Sequence, residues 1–162
     1  MPNDCPPLLV AAYGNEMAAD DAFGPLVAEA LRTMAVAGME VVSLGMQPAA
    51  LLNHLADRRA VCVVDAALCE GMPDGTLIEA DFFDAARPSL VHDAALSTHG
   101  LSVADELDLA ERLGICPSQV WLVAAVAGSV EVGQPIGDRV LQRVSVATQR
   151  IAAWASRLSE PT

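Results

Sequence analysis

The side chains with the most chemical potential stand where apolar runs end. Residues 14–24 read "GNEMAADDAFG", with two glycines around the adjacent carboxylates Asp20 and Asp21, directly after the run "LLVAAY". Asp65 is the sole charge in "VCVVDAAL", and His99 lies in "STHG". Carboxylate oxygen and imidazole nitrogen suit borderline divalent ions such as zinc or nickel. Three protein ligands would leave a coordination position open for water or a substrate group. Each residue also has a structural reading. Acids at a helix N-terminus interact with the macrodipole by ~0.3–1 kcal/mol, a strand-end Asp can accept a turn N–H, and a loop His is usually bland. An ionised carboxylate buried without partners costs several kcal/mol, so Asp65 most needs an explanation. Asp20 or Asp21 can cap the helix that follows, which leaves the other acid free to face a crevice. Cys69 and His99 could form a thiol dyad, although an incidental thiol is the simpler reading of Cys69.

These groups need a scaffold that brings distant segments together. "PLLVAAY" (7–13), "MEVVSL" (39–44), "AVCVVDA" (60–66) and "VWLVAAVAG" (120–128) are short apolar runs of the kind that become strands buried on both faces. "TLIEAD" (76–81) alternates and fits an antiparallel edge strand. Helical periodicity runs from Asp21 to a stop at Gly38, through "PAALLNHLADR" (48–58), and through 100–114 with Leu101, Ala104, Leu107 and Ala110 on one side. A last helix over 138–158 carries Val140, Leu141, Val144, Ala147, Ile151, Trp154 and Leu158 as its stripe. Alternating strands and helices predict a single α/β domain over 1–162. It is expected to be a three-layer sandwich with a twisted, mainly parallel sheet. In such sheets ligands bind beyond the carboxyl ends of the strands, where Asn15, Glu16, Asp20, Asp21, Asp65 and His99 would gather.

The 162 residues carry a formal charge of -12. That repels phosphate backbones and anionic lipid, so neither nucleic acid nor a membrane is expected as a partner. The four cysteines show no Cys-x-x-Cys spacing, and Cys62 reads as a core residue. "MPNDCPP" lacks the features of a signal peptide. A cytoplasmic protein, monomeric or weakly homo-oligomeric, is expected. No G-x-G-x-x-G, P-loop or G-x-S-x-G motif is present.

In order along the chain, "LLVAAYGNEMAADDAFGPLVAEAL", "GMQPAALLNHLADRRAVCVVDAA", "STHGLSVADELDLAERLG" and "PSQVWLVAAVAGSVEVGQPIGDRV" resemble the hydrogenase maturation proteases. The resemblance spans roughly residues 8–145. It implies a five-stranded sheet between helices and a metal site of Asp21, Asp65 and His99. It also implies a single cut that removes the C-terminal extension of a [NiFe]-hydrogenase large-subunit precursor after nickel insertion. The nickel would be carried by the substrate, and zinc or cadmium could take its place in a crystal. Two departures stand out. Ala12 replaces the family's first glycine, and Asp21 stands where many members carry Glu, one methylene longer. Glu131, in the acidic loop, is a candidate for substrate docking. Rival readings are a non-cutting assembly chaperone and an unrelated metal-dependent small-amide hydrolase.

Overall fold

Apolar runs become strands here because helices cover both faces of the sheet. The structure, a computed structural model, describes residues 5–47, 49–84 and 103–160. Five strands form one sheet: β1 (Leu8–Tyr13), β2 (Met39–Gly45), β3 (Ala60–Ala67), β4 (Leu77–Asp81) and β5 (Gln119–Val126). Their spatial order is β2-β1-β3-β5-β4. All neighbours are parallel except β4, which runs antiparallel to β5 at the edge, as the alternation of "TLIEAD" predicts.

Alternate residues of each strand feed two separate cores. Val10, Ala12, Cys62, Val64, Val123 and Ala125 pack beneath α1 (Phe23–Met34) and α3 (Asp138–Ser159). Leu9, Ala11, Tyr13, Val61, Val63 and Val120 face α2 (Val103–Arg112) and a 3-10 segment, Ala50–His54. β1 and β3 are buried along nearly their whole length. Among the described residues no helix is long and apolar enough to cross a membrane.

Several local expectations are corrected. Within the expected helix 48–58 the described residues, 49–58, form only the 3-10 segment Ala50–His54. α1 starts after a 3-10 turn, Ala19–Ala22, and its N-cap is Ala22 with no side-chain cap bond. It ends where Ala35 turns left-handed at φ 50, before Gly38. Leu141 is 46% exposed, while Ala152 and Ala155 share the burial of the α3 stripe. Leu101 lies outside the described residues.

The glycines around the acidic pair mark close backbone approach. A Cβ on Gly14, at φ +136, would sit 2.1 Å from the Asp21 carbonyl oxygen. One on Gly24 would sit 2.0 Å from the Tyr13 carbonyl oxygen. Alanine is the better helix former by ~1 kcal/mol, but here the obstacle is backbone, which cannot swing aside. Gly24→Ala should therefore lower stability by about 3 kcal/mol in urea unfolding. An unchanged midpoint would mean that α1 slides freely against β1.

Candidate functional site

β1 leads through α1 to β2 on one side, while β3 lies on its other side. Connections thus diverge between the carboxyl ends of β1 and β3, the place where open α/β sheets form a crevice. Asp21 arrives there from the 3-10 turn after β1, and Asp65 sits near the end of β3. The Asp21 carboxylate is nearly buried, 5% exposed, and its Oδ2 accepts the Asn15 N–H at 2.8 Å. Asp65 is partly exposed, and its Oδ1 accepts the Ala66 N–H at 2.8 Å.

Burial pushes the Asp65 carboxyl up to about 8; the Ala66 N–H opposes this, and the negative charge of Asp21 adds to it. The two acids therefore feel each other across the crevice. The arginine ion pairs among the described residues go to Glu29, Glu40, Asp74 and Glu79, so neither crevice acid is neutralised that way. Two carboxylates at one sheet edge, the charge of one opposing ionisation of the other, form a donor set suited to a divalent cation. His99 lies outside the described residues. Among the described residues no third His, Cys, Asp or Glu completes a metal-binding cluster with them.

Asp20 has a different task from its neighbour, and the helix-cap expectation is corrected. It is 3% exposed. Its Oδ2 accepts the N–H groups of Gly128 at 2.7 Å and Ser129 at 3.3 Å, and its Oδ1 accepts that of Gly137 at 2.7 Å. The carboxylate thus gathers both ends of the loop between β5 and α3. Backbone bonds from Asp20 N to Ser129 O (3.0 Å), Ala19 N to Gln134 O (3.1 Å) and Gly133 N to Met17 O (2.8 Å) complete the seam.

One buried polar pair escaped sequence reasoning. The Tyr13 hydroxyl, at the end of β1, donates to Glu106 of α2, at 2.8 Å from Oε1 and 2.9 Å from Oε2. The Leu51 N–H in turn reaches the Tyr13 oxygen at 3.3 Å. Burial raises the Glu106 carboxyl, while Tyr13 and the backbone of Leu51 and Ala49 hold it down. Burial and Glu106 together push the Tyr13 hydroxyl well above the ordinary range. The available signal was a glutamate inside the apolar face of Ala104, Leu107 and Ala110. This link fixes α2 and the 3-10 segment against the strand that leads to the crevice.

Burial raises the Cys69 thiol, and the His99 of the suggested dyad lies outside the described residues. Glu16 and Glu131 are exposed on the loops beside the crevice. An open groove of ≈ 690 Å³ begins at the same loop and is lined in part by Gly14, Asn15, Glu16, Pro25 and Arg32.

Known proteins resemble this chain in sequence and fold. HupD, a hydrogenase expression/formation protein of Rhodobacter capsulatus, is 25% identical over 160 residues, covering 94% of this chain and 75% of its own length. The hydrogenase maturating endopeptidase HybD of E. coli superposes with a TM-score of 0.79 at 23% identity, covering 94% of this chain and 93% of its own. HycI, a [NiFe] hydrogenase maturation protease of Thermococcus kodakarensis, gives a TM-score of 0.72 at 25% identity, covering 93% of each chain. The family model of HycI, hydrogenase maturation protease, matches residues 25–154, a stretch that holds Asp65 and His99 and starts just after Asp21. With that model running through most of its length and the same five-stranded fold beneath, the chain belongs to the hydrogenase maturation protease family.

Proposed function

We propose that this protein is a cytoplasmic endopeptidase that removes the C-terminal extension of a [NiFe]-hydrogenase large-subunit precursor once nickel has been inserted. The observation that carries the reading is the placing of Asp21 and Asp65 at the switch point of a maturation-protease fold, with no arginine ion pair to either among the described residues. The nickel belongs to the substrate. Asp21 and Asp65 would offer it oxygen ligands, and His99 an imidazole. Asp21 Oδ2 is held by Asn15, which fixes the carboxylate's orientation before the substrate arrives. Gripping a metal already seated in the precursor would make cleavage conditional on that metal. It would also lay the scissile peptide beside the crevice, where orientation alone lowers the barrier.

The test is to incubate the purified protein with nickel-loaded and nickel-free precursor and follow the shortened large subunit. Cleavage of the loaded form alone is expected. Tight association without cleavage would make the protein an assembly chaperone. Neither association nor cleavage would overturn the reading and favour a small-amide substrate.

A further inference from the structure

Val132, 71% exposed, and Met17, 64% exposed, are the two most exposed large apolar side chains among the described residues. They come from loops far apart in sequence, yet they lie on one lip. The Gly133 N–H donates to the Met17 carbonyl at 2.8 Å, which ties the residue after Val132 to Met17 itself. The lip is rigid without a partner, since the Asp20 carboxylate and the Ala19 and Asp20 amides lock its two loops together. It is also rooted in the crevice: Asn15, at its base, holds Asp21. Apolar side chains held out on a preorganised loop pair favour association, because little freedom is left to lose on binding.

Charge narrows the partner. Glu16 and Glu131 flank the apolar tip, both exposed, and residues 14–20 and 128–137 contain no Arg or Lys. A second copy of a chain with formal charge -12 would bring like charge to this lip, which opposes self-association. A segment that combines apolar and basic side chains would be drawn to it.

Building on the maturation-protease reading, we propose that the lip formed by residues 14–18 and 129–134 is a docking surface for the precursor. An apolar, basic stretch of the large subunit packs over Met17 and Val132, between Glu16 and Glu131. Its contacts hold the precursor while the scissile bond occupies the adjoining crevice. Met17 suits this work because its unbranched thioether adapts to irregular surfaces.

Initial cleavage rates with nickel-loaded precursor, and its Kd by calorimetry, test the proposal on the full chain. The pair Met17→Gln with Val132→Thr should raise KM and Kd about tenfold, leaving kcat and the melting temperature unchanged. Glu16→Gln with Glu131→Gln should flatten the salt dependence of kcat/KM. Unchanged KM and Kd in both pairs would overturn the docking lip while leaving the protease reading intact. Parent protein that neither binds nor cuts the precursor would instead sink the protease reading, and the lip with it. Parent protein that sediments as a dimer, and turns monomeric in the apolar pair with KM unchanged, would make the lip a self-association surface and overturn the proposal.

Discussion

Asp65→Asn should abolish cleavage and stabilise the protein at the same time. Asparagine keeps the shape and an acceptor for the Ala66 N–H, but it removes a charge that the site disfavours. The folded-state pKa of Asp65 is raised, so its protonated form is the comfortable one. Stability from this group is full below about 4, the unfolded range, and drains away as pH rises through about 8. At about pH 4, the foot of this window, the parent and variant should unfold at nearly the same urea concentration. At pH 9, in EDTA, the variant should be more stable. The full rise would be worth at most ~6 kcal/mol. Solvent contact at Asp65 reduces the expected gain to about 2 kcal/mol, a few degrees in Tm. Precursor cleavage should meanwhile fall at least ~100-fold, the scale of losing a group that acts on the reacting centre. A variant that cuts normally would remove Asp65 from the machinery. One that is weaker at pH 9 would make its charge a structural asset.

The second large effect concerns Asp20. Asp20→Ala strands three backbone N–H groups at the roots of the β5–α3 loop. Hydrogen bonds to a charged acceptor contribute about 1.5–3 kcal/mol each, and two of these are short. The expected loss is about 5 kcal/mol, a large part of the 5–15 kcal/mol that typically holds a domain. Asp20→Asn should be nearly as damaging, because its amide nitrogen must face an N–H on one side. Asp21→Ala, which loses a single bond to Asn15, should cost about 1.5–2 kcal/mol. Adjacent acids would then separate cleanly in denaturation curves, one holding the structure and the other facing the crevice. Equal losses at both positions would refute that division.

What could be read from the sequence follows from how far each interaction reaches along the chain. β1, β3 and β5 were legible because burial on both faces demands continuous apolar runs, and β4 because one exposed face demands alternation. Asp65 was legible as a charge in a run that otherwise excludes charge. The purpose of Asp20 was not, since its partners lie more than a hundred residues away and leave no local trace. Beside α1 the pair looked like a cap, yet α1 begins beyond it and uses no side chain there. The 48–58 segment was overread because a proline and scattered leucines imitate a helix start, whereas the structure needs only the 3-10 segment Ala50–His54 there. Tyr13 and Glu106 were missed because the pair exists only once β1 and α2 share a core.

The seam at Asp20 also bears on how the enzyme comes into being. Its bonds join residues 108, 109 and 117 positions apart, so they must wait for long-range chain closure, the slow kind of contact in folding. The loop that borders the crevice can settle only after β5 has joined the sheet. A nascent or partly assembled chain would therefore hold its acids in no fixed relation, and hydrolytic competence would switch on with the last stage of folding, when the molecule is whole.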